Sequence, residues 1–159
     1  MRTICTIGPV IVTEHGDDSV SYIAGAQIDG DGSGPSHNDP CFQNDTSLHH
    51  PLTGKALNAD DVPFVVVPPA VIHGVKGVVL GCKAHVTNTK NGRQADCVVA
   101  DIGPHSKIGE LSIAAAKALG VNPSPTVGGE SGRWFLYTLW PGVAANVGGV
   151  QYRLTASAA

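Results

Sequence analysis

Short apolar runs, each closed by Gly or Pro within a few residues, set the pattern of this chain. Residues 3–12, 22–28, 62–67, 77–87, 93–100, 134–140 and 150–154 carry Val, Ile, Tyr, Phe and Trp in runs of strand length. Residues 42–48 form a weaker candidate strand. Gly8-Pro9 breaks the first run, Pro68-Pro69 closes the third, and Gly103-Pro104 ends the run from Cys97. Proline has no amide hydrogen to give to a ladder, so each of these is a natural stop. The stretch 29–40 is dense in Gly, Asp and Pro and reads as a loop. Residues 53–61 read as a polar connection and 123–132 as a loop. One segment is helical in character: Ile-Ala-Ala-Ala-Lys-Ala-Leu at 113–119. Ser112 supplies a plausible N-cap for it and Gly120 a C-terminal stop. Six to eight short strands and one short helix predict a compact β-barrel rather than a long-stranded sandwich.

Composition narrows this further. A chain of 159 residues has the size of one domain, and no internal repeat or linker divides it. A net charge of −3 argues against nucleic acid, which needs a basic face, and suits a cationic ligand. No run approaches the roughly 20 apolar residues of a membrane helix. Residues 1–12 hold one early Arg and an apolar patch but no small-residue cleavage site, so they are not read as a signal peptide. A monomer is the default expectation.

The four cysteines, Cys5, Cys41, Cys82 and Cys97, form no Cys-x-x-Cys pair. A two-residue turn at Asn91-Gly92 places Cys97 opposite Val86. Cys82 then lies about 13 Å further along the strand, beyond the roughly 7 Å that a disulfide spans. Free, buried thiols are therefore expected, with Cys5–Cys41 the least excluded bridge.

The most telling chemistry sits between 97 and 120. A strand delivers Asp101 to a Gly-Pro loop, and Glu110 follows nine positions later, just before the helix cap. Two carboxyls at the rim of one loop are the minimum apparatus for splitting a glycosidic bond by general acid and general base. Their plain alternative is structural, and for Glu110 a favourable place near a helix N-terminus. Asp101, at a strand end, is the more buried of the two by this reading. Burial keeps a carboxyl protonated, which would make Asp101 the acid.

Other constellations are weaker. Asp29, Asp31, Ser33 and Gly34 match the start of a calcium loop, but Pro40 stands where its Glu belongs and no helices flank it. An acidic turn facing the same cleft as Asp101 fits better. The seven histidines contain no zinc spacing, and no metal or other cofactor is implied. His105 lies in the loop between the two acids, within reach of a substrate. Gly54-Lys55 lacks the rest of a phosphate loop, and no Gly-x-Ser-x-Gly elbow exists. Cys/His catalysis has no local signature. In a strand, Trp134 and Trp140 share a face opposite Tyr137. They suit either sugar stacking or, more commonly, the core.

Three blocks resemble the family 75 glycoside hydrolases, the chitosanases. They are Ile28-Asp29-Gly30-Asp31-Gly32 with Asp39, Gln43, Thr46 and Ser47; Leu57 through Val66; and Ala100-Asp101-Ile102-Gly103 with Gly109-Glu110-Leu111-Ser112-Ile113. The resemblance implies Asp101 and Glu110 as the catalytic pair of an inverting endo-hydrolase of β-1,4 chitosan, in a single catalytic domain over 1–159. It implies Asp29, Asp31, Gln43, Thr46, Asp61 and His105 as substrate-binding residues, with the carboxylates holding protonated glucosamines. It also implies a secreted or extracellular protein, although this chain shows no recognisable signal peptide. A second similarity covers only about 97–121. Asp-x-Gly-Pro followed by Leu-Ser-x-Ala-Ala-x-x-Leu-Gly looks like the core of double-psi β-barrels such as expansins, rare lipoprotein A and family 45 glycoside hydrolases. It implies a mainly β, six-stranded double-psi-type barrel with one or two short helices. Two other activities fit that barrel: a peptidoglycan-cleaving muramidase or lytic transglycosylase, and a non-catalytic expansin-like polysaccharide-binding module.

Overall fold

The structure, a computed structural model, describes residues 1–30 and 46–155. Its strands are β1 (Arg2–Ile7), β2 (Val10–Glu14), β3 (Val20–Asp29), β4 (Phe64–Val67), β5 (Cys82–Asn88), β6 (Gln94–Ile102), β7 (Glu110–Ser112), β8 (Glu130–Ala144), β9 (Asn146–Val147) and β10 (Val150–Gln151). Two short helices complete it, α1 (Pro69–Gly74) and α2 (Ile113–Leu119). Strands β3-β7-β4-β6-β5-β8 pair in that order and β8 closes back on β3. The result is a closed six-stranded barrel with two short helices, mainly β as expected. The pairs β3–β7 and β4–β6 are parallel and the rest antiparallel. Hairpin β1–β2 extends the sheet beside β3, and β9–β10 pair apart.

Local sequence explains most elements. The four residues of β4, Phe-Val-Val-Val, are all buried, as a strand covered on both faces requires. Tyr22 and Tyr137 face each other across β3 and β8, stacked at 4.8 Å and sealed in the barrel with Val86, Leu139 and Cys97. Ser112 caps α2 by accepting from the Ala115 amide. Gly120 ends α2 in the left-handed region, donating to the Ala116 and Lys117 carbonyls.

Several expectations change. The hairpin β5–β6 pairs Ala84 with Cys97 and Val86 with Ala95, two residues away from the register of a two-residue turn. Such a turn needs positive φ at both central residues, and Gly92 alone has it. Instead Asn91 donates its side chain to the Leu119 carbonyl and accepts the Arg93 amide, and Asn88 also donates to Leu119. These bonds tie a four-residue loop to the end of α2. Cys5, Cys82 and Cys97 are free thiols, so Cys5 takes no part in a bridge to Cys41, and Cys5 is only half-buried. Helix α1 is the second of the one or two short helices expected, in a segment with no helical pattern of its own. Pro68-Pro69 stops β4, and Pro69 then opens a turn of helix that buries Val71 and Ile72. No strand forms among residues 46–48, and 42–45 lie outside the described residues. The last run shrinks to Val150–Gln151.

Candidate active site

Strand β4 organises the site. Val66 is the register partner of Asp101 on β6 and of Glu110 on β7. The two acids therefore flank one residue from adjacent strands, although nine positions separate them in the chain. Two strand spacings put their backbones about 9.6 Å apart. Glu110 also pairs with Gln27 on β3. A continuous row, Asp101–Val66–Glu110–Gln27, thus crosses four strands.

The two carboxyls meet different surroundings. Asp101 is 7% exposed. Its Oδ1 accepts the Ser47 hydroxyl at 2.6 Å, the Ser47 amide at 3.3 Å and the Ile102 amide at 3.1 Å. Every one of these bonds is accepted by the carboxyl oxygen. Glu110 Oε1 is buried with no hydrogen-bond partner. Burial pushes its carboxyl up from the ordinary value, Lys107 pulls it down, and the charge of Asp101 adds to the rise. The oxygen lies so close over Gly103 that a Cβ there would stand 3.0 Å from it. Any larger residue in the Gly-Pro loop would crowd the acid. The other buried side-chain oxygen without a partner among the described residues is the Tyr22 hydroxyl, whose ionisation is opposed first by burial and then by the charges of Cys97 and Glu110.

The expected substrate residues divide. Asp29 ends β3 two residues beyond Gln27, on the same side of the strand by alternation, and is 9% exposed. His105 is exposed on the loop between β6 and β7. Asp61 lines a separate cavity of about 400 Å³ with His50, Lys55 and Tyr152. Thr46 is buried and fully engaged: its hydroxyl donates to the Leu48 carbonyl at 2.6 Å and accepts the Leu57 amide at 2.9 Å. It braces the chain, and the neighbouring Ser47 is the residue that reaches Asp101. Asp31 and Gln43 lie outside the described residues. Trp134 and Trp140 are partly exposed on the face opposite buried Tyr137, as alternation requires. The Lys90 ammonium covers Trp134 at 3.9 Å and Lys83 covers Trp140 at 4.7 Å. Strand β8 stands across the closed ring from β4, so these rings do not join the acids. Among the described residues no group of His, Cys, Asp and Glu is placed to hold a metal ion.

Compared with family models the chain matches none, and no curated protein matches it.

Proposed function

We propose that this barrel is an inverting glycoside hydrolase that cleaves β-1,4 bonds of chitosan. The observation that carries the reading is the pairing of two differently dressed carboxyls to the two sides of Val66. Inversion calls for carboxyls about 6.5–9.5 Å apart, with a water between one of them and the sugar, and a span of two strands is of that order. Their surroundings also divide the work. Glu110, desolvated and short of donors, holds its proton more tightly than an ordinary carboxyl and is assigned as the general acid. Asp101, supplied with three donors, is the general base. This reverses the assignment that burial alone suggests, because it is Glu110 whose buried oxygen lacks a donor. In the reaction Asp101 takes a proton from water as that water attacks the anomeric carbon. The glycosidic bond breaks, and Glu110 delivers its proton to the departing oxygen. Carboxylates such as Asp29 attract the protonated glucosamines, so binding weakens as salt rises.

A reducing-end assay on soluble chitosan, with peptidoglycan in parallel, tests this. Wild type is expected to cleave chitosan, and Asp101→Asn and Glu110→Gln each to lose about 10³-fold or more with unchanged circular dichroism. Full activity in Glu110→Gln would refute the two-acid mechanism and favour a one-acid transglycosylase. Binding of polysaccharide with no new reducing ends would favour a binding module.

A further inference from the structure

Beside Glu110 lies a cavity of about 500 Å³ that the reaction above does not use. Its volume falls in the range of small-molecule sites. It continues the row of the two acids: Gln27, the register partner of Glu110, lines it, and so does Gly109. One wall is apolar, from Ile7, Pro9 and Val10 at the tip of hairpin β1–β2. The floor is backbone. A Cβ on Gly25, Gly109 or Gly129 would come within 2.6–2.8 Å of the Glu130, Gly25 or Ala26 carbonyl, so the backbones approach closely there and only glycine fits.

The charges in it are unusual for a site expected to hold a polycation. Lys107 and Arg133 both line the cavity, and neither has an ion-pair partner among the described residues. Among the described residues the one carboxylate lining it, Glu130, accepts the Gly132 amide of its own strand at 2.9 Å. A protonated amine placed here meets two cations, whereas an uncharged acetamide meets an apolar wall and the Gln27 carboxamide. We propose that this cavity is a subsite for an N-acetylated sugar unit of a partly acetylated chitosan. Resting on the acid and base roles given above, it lies beyond Glu110 and away from Asp101, and so on the leaving-group side of the scissile bond. Carboxylates such as Asp29 take the glucosamine units, and the cations select the neutral one. Charge then sets the register of the chain in the cleft.

The test has two arms. In the first, wild type digests a partly acetylated chitosan and the products are sequenced by mass spectrometry. New non-reducing ends should be enriched in N-acetylglucosamine on the order of tenfold at low salt, approaching parity near 1 M salt, where the Debye length is about 3 Å. The double variant Lys107→Gln, Arg133→Gln changes two exposed residues and should erase the enrichment among whatever products it forms, and Arg133→Gln alone, whose charge does not act on Glu110, should weaken the enrichment while still cleaving. Ends that match the substrate composition, or a preference unchanged in the double variant, would overturn the proposal. In the second arm, amide resonances are followed on adding the dimer of N-acetylglucosamine or of glucosamine. Shifts at Lys107, Gly109, Gly129 and Arg133 with the acetylated dimer are expected. Their absence overturns the subsite whatever the turnover, and their presence without turnover removes the hydrolase reading and leaves the subsite standing.

Discussion

At the scale of the residue, Glu110 concentrates the consequences. Its carboxyl is raised in the folded state by burial. Between the unfolded value near 4.3 and the folded value, the folded chain holds a proton that the unfolded chain has released. Stability therefore falls as pH rises through that window. Glutamine does not ionise, so Glu110→Gln should melt above wild type at pH 7, and the gap should close near pH 3.5, below about 4.3. Thermal unfolding of both proteins at the two pH values checks the sign. Ser47 carries a second prediction. Its hydroxyl donates to Asp101 at 2.6 Å, and a bond to a charged group contributes about 1.5–3 kcal/mol. On the proposed hydrolase reading, Ser47→Ala should lower kcat on chitosan about tenfold or more with KM little changed, which steady-state kinetics would show. The delivery of Asp101 by a strand into a Gly-Pro loop was legible in the sequence, since a strand ending in Asp-x-Gly-Pro announces itself. That Ser47 and not Thr46 serves Asp101 was not legible. Neighbouring residues point to different sides, and only the packed chain decides which side holds the acid.

At the scale of the element, the short strand β7 carries the most. It was invisible as a strand, being three residues long and pressed against a helix cap. Its pairing with both β3 and β4 is what sets Glu110 beside Val66. Ser112 locks it: fully buried, its hydroxyl donates to the Val62 carbonyl at 2.7 Å and accepts the Phe64 and Ala115 amides at 3.0 and 3.2 Å. One side chain thus joins the start of β4, the end of β7 and the first turn of α2. Ser112→Ala should cost about 3 kcal/mol, from the lost cap and the stranded partners, seen in urea unfolding as a lower midpoint at unchanged slope. Helix α2 was legible because its cap, its run of good helix formers and its Gly stop agree. The β5–β6 register was not, since the turn answers to the carbonyl end of α2, which is remote in sequence.

At the scale of the whole molecule, closing the barrel buries groups that a local reading leaves ambiguous. Cys82 and Cys97 are both fully buried. Burial pushes the Cys82 thiol up to about 11 and the Cys97 thiol higher still. In native protein at pH 8, Ellman's reagent should spare both, while half-buried Cys5 reacts; all three should label after unfolding, as peptide mapping would show. Alternation and Gly-Pro stops were enough to announce a small, mainly β barrel, because strand period and proline's missing amide act over a few residues. Which strands lie side by side, which turn wins and which cations share a hollow with Gln27 were decided only by the fold. Those outcomes depend on contacts between residues tens of positions apart. No local propensity specifies them, and the free energy of closing the barrel selects among them.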